Sequence, residues 1–315
     1  MAARASSSNW PPGLAVPDWS RACWMAIVAL VSTYLAVGFL ALAYWQSTGN
    51  ITWVEEYFRL PGALALVFLA AAALLFCVRV RCEYSPAQPM RKAWNLIVIS
   101  AGCDFAGALF VQILSAQTAL NPLSHTALWS ASEATSLRAY GQVLGGSLRF
   151  AFLAAGLFLS LRAYRKSGFL ARLEVIDWVL LAAAGAFVLR EAGDVIFAMQ
   201  HGKHPSPAEV LSWPTDPLLW LLLAESMLLY RSVCQMGPGW IGRCWKAFSV
   251  GVALIALGDM AIWATAYGYL PWPWSSLGWY IWLPAAAAFA MAPAYQLEAV
   301  WRAYAVRGKV HRTIS

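Results

Sequence analysis

The sequence predicts an all-α fold, a polytopic bundle of eight transmembrane helices with both termini in the cytoplasm. Three observations carry this. Apolar residues make up 61% of the chain and charged residues 12%, against about 25% charged in a water-soluble domain. The apolar residues gather in eight runs, near 24–45, 60–79, 93–114, 143–162, 178–199, 217–234, 247–269 and 277–300, and about 20 such residues in a helix cross a bilayer core. With both ends inside, the inner segments hold 17 of the 22 Lys and Arg, while the outer loops hold only Arg59, Arg138 and Lys203. That asymmetry is a positive-inside signature, so the charge excess of +7 orients a membrane protein and does not point to nucleic acid. Strands of a β-barrel would be about 10 residues of alternating polarity, and the chain has no such pattern.

Residues 1–20 form a polar, Pro- and Ser-rich cytoplasmic tail without a signal-peptide core, so span one is expected to be an uncleaved anchor. Span one then opens on "RACW", Arg21 to Trp24, a basic and indole pair suited to the headgroup level. Span two ends on "CVRV" at 77–80. Span three opens on "RKAW", Arg91 to Trp94, and carries "AGCD", ending at Asp104. Span four carries Arg149 about a third of the way down and ends on "LRAY" at 161–164. Span five opens on "IDW", ending at Trp178, and carries "AGD", ending at Asp194. Span six is the shortest, holds Glu225 and ends on "LYR" at 229–231. Span seven opens on "RCW", Arg243 to Trp245, and carries "LGD", ending at Asp259. Span eight is interrupted by Pro284 and Pro293, which a packed bundle tolerates, and ends on "WRAY" at 301–304. Residues 21–304 are one membrane domain, and 305–315 are a basic cytoplasmic tail. The echoes between spans suggest four tandem helical hairpins, since internal repeats are common in membrane transport folds. The loop 115–141 has room for a short surface helix.

The charges inside the spans are the main functional signal. They are Asp104, Arg149, Arg190, Glu191, Asp194, Glu225 and Asp259. Each Asp or Arg at a helix centre costs about 2.5–3.5 kcal/mol on insertion scales, so these residues are expected to face the bundle interior or a wet cavity. Arg190 and Asp194, four apart, pair along one helix face. Glu191 points about 100° away, and Arg149 is its expected partner. Glu298, at the cytoplasmic end of span eight, is expected in water and outside the set. Five acids against two bases leave at least some acids protonated, hydrated or holding a cation. Two roles compete for the Gly–Asp echo. Glycine allows close helix approach and an adjacent Asp bonds a neighbouring helix, which is packing. Alternatively Asp104, Asp194, Asp259, Glu191 and Glu225 form a substrate or ion-coupling site, with Arg149 and Arg190 as charge partners.

Other chemistry has little support. His201 and His204, with His125 in the other long outer loop, are weak candidates for an outer-face metal site. Histidine is absent from the spans, against bis-His haem. Lysine is absent too, which excludes a retinal Schiff base. The six cysteines lack a zinc spacing and avoid the outer loops, so they read as free thiols. No cofactor is expected, and no catalytic motif marks an enzyme. Of the 18 tryptophans, Trp24, Trp94, Trp178 and Trp245 are among those read as interface-belt residues, whereas Trp220, Trp263 and Trp282 lie within spans and suit core packing or an aromatic pocket. The expectation is a multi-pass protein of a cytoplasmic membrane. It is either a proton- or cation-coupled transporter of small solutes or ions, or a sensor, scaffold or subunit acting through contact with a membrane protein partner or a second copy.

Overall fold

Eight long helices build the structure, a computed structural model that describes residues 19–50, 54, 61–120, 140–141, 143–202, 207–235, 239–266, 268–269 and 277–313. They are α1 (Trp19–Thr48), α2 (Ala63–Glu83), α3 (Pro89–Leu120), α4 (Arg149–Lys166), α5 (Val175–Gln200), α6 (Thr215–Cys234), α7 (Trp240–Ala266) and α8 (Leu277–Thr313). A π-helical turn, Leu144–Leu148, leads into α4, and a short helix, Pro207–Ser212, precedes α6. No strand occurs among the described residues. Each apolar run falls on one long helix. Six helical segments, those at 21–48, 64–83, 89–110, 144–166, 210–234 and 241–262, are long and apolar enough to cross a membrane. The chain is therefore a multi-pass membrane protein. α5 and α8 fall outside that set. Every 18-residue window of α5 holds at least three charges, and α8 is rich in Trp, Tyr and Pro.

Helix ends follow from local chemistry. α4 stops where Gly168 takes φ +77°, a left-handed conformation that costs glycine little. There the Gly168 and Phe169 N–H groups bond back to the Arg165 and Tyr164 carbonyls. α5 starts on a capping box, in which the Asp177 carboxylate accepts the Glu174 N–H at 2.7 Å. Arg231, near the end of α6, ion-pairs with Glu174 at 2.7 Å and with Asp177, whose side chain is 1% exposed. Arg231→Ala strands that buried carboxylate, a loss on the order of 3–5 kcal/mol. The Arg190–Asp194 pair, at 3.7 Å along one helix and with Asp194 66% exposed, is worth under about 1 kcal/mol. Melting temperatures in one detergent are expected to fall well below wild type for Arg231→Ala and to stay near it for Arg190→Ala. Equal losses would contradict this ranking.

Helices α2, α3, α4, α6, α7 and α8 close into a ring, each packed on the next, with α8 returning to α2. α1 lies outside on α8, and α5 lies outside on α6. The ring is filled by Trp94, Trp245, Phe248 and Phe289. Phe248 lies 6.5 Å from Trp94, 5.6 Å from Trp245 and 5.9 Å from Phe289 between ring centres. Trp94 and Trp245 are fully buried, which corrects their reading as belt residues: in both helices the indole faces the bundle axis, a choice of face that the anchor pattern does not encode. Trp24 and Trp178 are exposed, as a belt requires.

Two further expectations are corrected. The charges of "VLREAGDVIF" do not all face the bundle interior. Asp194 has a side chain 66% exposed, and Arg190 and Glu191 are only half-buried, because the ring closes without α5. Glu298 is not in water. It is wholly buried and ion-paired with Arg302, one turn on, at 2.5 Å. Beyond Leu120, the loop that has room for a surface helix lies outside the described residues.

Candidate functional site

All six ring helices contribute to one cavity of about 310 Å³. Its walls include Leu66 and Ala70 of α2, Asp104 and Gly107 of α3, Gly145 and Gly146 of the π turn, and Arg149 of α4. Thr215 of α6, Asp259 of α7 and Trp282 of α8 complete them. Asp104 lies 13 residues beyond Arg91, about 20 Å along α3 at 1.5 Å per residue. The cavity therefore sits in the half of the bundle away from the basic helix ends.

Two of the three echoed aspartates meet here. Arg149 Nη1 lies 2.7 Å from Asp104 Oδ1, and both side chains are more than four-fifths buried. The guanidinium carbon also stands 4.8 Å from the Phe289 ring centre and 5.4 Å from that of Phe150, a geometry in which a planar cation is held against aromatic faces. Arg149 thus pairs with Asp104 and not with Glu191, because α3 is its neighbour in the ring and α5 is not. Asp259 Oδ1 accepts the Trp282 indole N–H at 3.1 Å. Among the described residues no ion pair involves Asp259, although Arg149 and Asp216 lie within electrostatic reach. The cavity therefore contains one neutralised carboxylate and one that is hydrogen-bonded to an uncharged indole.

The glycines shape this site unequally. A Cβ on Gly258 would stand 2.6 Å from the Trp282 ring, so the absent side chain is what admits the indole to Asp259. A Cβ on Gly107 would stand 2.6 Å from the Gly145 nitrogen and 2.8 Å from the Gly141 carbonyl oxygen. That backbone contact brings α3 against the entry to α4, with Gly141 and Gly145 in small-xxx-small spacing. Gly102 and Gly193, the other glycines of the echo, face open space. The π turn adds Ser147, whose hydroxyl is 2.7 Å from that of Thr215. Thr215 donates to the Ser212 carbonyl at 2.6 Å, so Ser147 is the donor in the pair. π turns inside helices recur at functional sites.

The turn has a counterpart in sequence alone. The "LRAY" at 161–164 and "WRAY" at 301–304 are 140 residues apart. At that offset the π turn 144–148 corresponds to 284–288, which begins at Pro284, and Arg149 corresponds to Phe289. Gly145 and Gly146 of the turn and Ala286 line the same cavity, but 284–288 is unbroken α-helix within α8. Beneath Arg149 only a void of about 20 Å³ remains, walled by Cys77, Ile97, Leu153, Phe248 and Phe289. That is room for about one water. Below it, bonds such as Trp245 to the Tyr164 hydroxyl (3.3 Å) and Gln296 to the Tyr84 hydroxyl (2.7 Å) join the basic ends of the helices.

The remaining sequence-predicted residues lie elsewhere. Glu191 lines a groove of about 450 Å³ between α5 and α6, with Trp213, Pro214 and Pro217. Asp194 is on the exposed side of α5. Glu225 is buried in mid-α6, and its Oε2 accepts no hydrogen bond from the described residues. His201 is exposed, with Nδ1 2.8 Å from the Phe197 carbonyl, while His125 and His204 lie outside the described residues. Among the described residues no three His, Cys, Asp or Glu side chains are grouped to hold a metal. Two contributors had escaped the sequence. Asp216, adjacent to Thr215, lines a second cavity of about 160 Å³ with Asp259, Phe187 and Trp220, and its position at a helix start reads as an ordinary capping acid. Gly107 is visible only as one glycine among 22, although its place one turn after Asp104 was a usable signal. Compared with known proteins, the chain matches no family model, no curated protein and no solved structure.

Proposed function

We propose that the protein is a proton- or cation-coupled transporter of small solutes or ions in a cytoplasmic membrane. In this reading all eight long helices span the bilayer, both termini are cytoplasmic and the 310 Å³ cavity opens outward. The observation that carries it is the cavity's charge set: Asp259 bonded to a neutral indole beside the Asp104–Arg149 pair. A buried carboxylate without a cationic partner is costly, and a proton or metal cation arriving from the cavity removes that cost. An anionic group on a solute competes with Asp104 for Arg149. The π turn at 144–148 is the expected hinge, since π turns recur at functional sites, while α8 runs unbroken past Pro284. The aromatic plug of Trp94, Trp245, Phe248 and Phe289 is the closed inner gate. Glu225, ten residues and about 15 Å beyond Thr215 along α6, is the acid placed on the inner side of the cavity.

The test is flux into proteoliposomes under imposed proton, sodium or potassium gradients. A pH-sensitive dye and a cation indicator sit inside, and a mixture of amino acids, amines and sugars is supplied outside. Wild type is expected to move protons or cations above the empty-liposome level. Asp259→Asn, which keeps the size and can still accept the indole N–H, is expected to lower the rate at least tenfold while its melting temperature stays near wild type. Flux unchanged in Asp259→Asn would end the coupling assignment.

A second reading, a subunit acting by contact, is supported by α5. Its outer face exposes Leu189, Phe197 and Met199 together with Asp194, and a charge facing lipid is disfavoured. Cysteine at Leu189, cross-linked in native membranes, would report a partner or second copy; a monomeric product on gels would count against this reading.

A further inference from the structure

We propose that the cleft between α1, α7 and α8 is a binding site for an anionic phospholipid, with its headgroup phosphate on Arg243 and Lys246 and one acyl chain in the apolar slot below. The cleft encloses about 530 Å³. It exists because α1 and α7 both pack on α8 while Ala247, Ala287 and Ala288 form a shallow floor between them. Its two ends differ in chemistry. At the basic end Arg243 and Lys246 are exposed, and Trp24 and Tyr295 line the same wall. Towards the other end stand Val31, Val250 and Pro284. Among the described residues that line the cleft none is acidic.

The dimensions match one leaflet. From Arg243 to Val250 is seven residues, about 10 Å, and from Tyr295 back to Pro284 is eleven, about 16 Å. Half of a bilayer core is about 15 Å. Arg243 opens α7 and Trp24 lies near the start of α1, so both cations stand at headgroup level, where an indole is also at home. Basic pockets between transmembrane helices on the cytoplasmic side hold anionic headgroups. A zwitterionic headgroup offers these cations no net charge, and a soluble phosphate leaves the apolar slot unfilled, so the occupant is a diacyl lipid with a net negative headgroup. The inference rests on the membrane-spanning fold and is independent of transport.

Native mass spectrometry of the delipidated full-length protein in neutral detergent tests this. The probes are phosphatidylglycerol, phosphatidylcholine of the same chains and glycerol phosphate. One phosphatidylglycerol is expected to bind saturably, at least tenfold tighter than phosphatidylcholine, with glycerol phosphate failing to displace it. Each surface-level cation contributes about 1 kcal/mol towards an anionic lipid, about fivefold, so Arg243→Gln/Lys246→Gln is expected to weaken binding by about 25-fold. Ala288→Phe fills the slot, keeps both cations and is expected to abolish saturable binding. Arg162→Gln/Arg165→Gln removes two exposed cations at the basic end of α4 and is expected to change nothing. Equal affinity for the two lipids, displacement by glycerol phosphate, retention in either cleft variant or an equal loss in the α4 control would each overturn the site.

Discussion

Arg149→Met is expected to lower the melting temperature by on the order of 10 °C and to eliminate any flux through the cavity. Arg149 and Asp104 are held at 2.7 Å with side chains 13% and 17% exposed, so removing the guanidinium leaves a buried carboxylate with no opposite charge. Breaking a buried pair from one side costs about 3–5 kcal/mol, which in a chain of this size is a shift of roughly 5–10 °C. The methionine keeps the contacts with Phe150 and Phe289, so the loss reports charge and not volume. Arg149→Met/Asp104→Leu removes both charges and is expected to recover most of the stability, because replacing a buried ion pair by apolar groups is often neutral or stabilising. Flux is expected to stay absent in the double variant. Stability recovered with flux lost separates a functional pair from a packing pair. Recovery of both would show that the cavity works without the pair, and would remove Arg149 from the site.

Gly107→Ala is the second large effect. The added Cβ would meet backbone atoms of Gly145 and Gly141 at 2.6–2.8 Å, and backbone cannot rotate away as a side-chain tip can. α3 and the entry to α4 must separate, and with them Asp104 and Arg149. Overpacking of this kind costs about 1–3 kcal/mol, so a drop of about 5 °C is expected, together with loss of flux. Gly145→Ala is the sharp control. Its Cβ would lie 3.9 Å from the Gly107 Cα, an ordinary contact, and the melting temperature is expected to stay within about 2 °C. Gly102→Ala, facing open space, is expected to be neutral or slightly stabilising because alanine is the better helix former. Three alanine variants of neighbouring glycines with divergent outcomes would show that the α3 crossing, and not glycine content, sets the site. Gly107→Ala melting with Gly145→Ala would refute that geometry.

The sequence by itself determined the helices. A run of about 20 apolar residues has one stable form in lipid, because every backbone N–H and C=O must be bonded internally. The eight runs therefore emerge as eight helices, and Arg190–Asp194 follows from helical spacing alone. The basic residues gather at alternate helix ends, a pattern legible in the same way. What a periodic apolar helix does not state is which of its faces meets protein, since lipid and core are equally apolar. Trp94 and Trp245 show this: they carry the same Arg–Trp opening as Trp24, yet they are buried in the ring and Trp24 is exposed. The same ambiguity put Glu298 in water and the α5 charges inside. Only the tertiary structure decided that the ring omits α1 and α5, that Asp104 takes Arg149, and that Asp259 takes the Trp282 indole across the gap left by Gly258. The two carboxylate choices are made by contacts 45 and 23 positions apart, and the ring by contacts as distant as Tyr84 and Gln296, 212 positions apart, which no local pattern encodes.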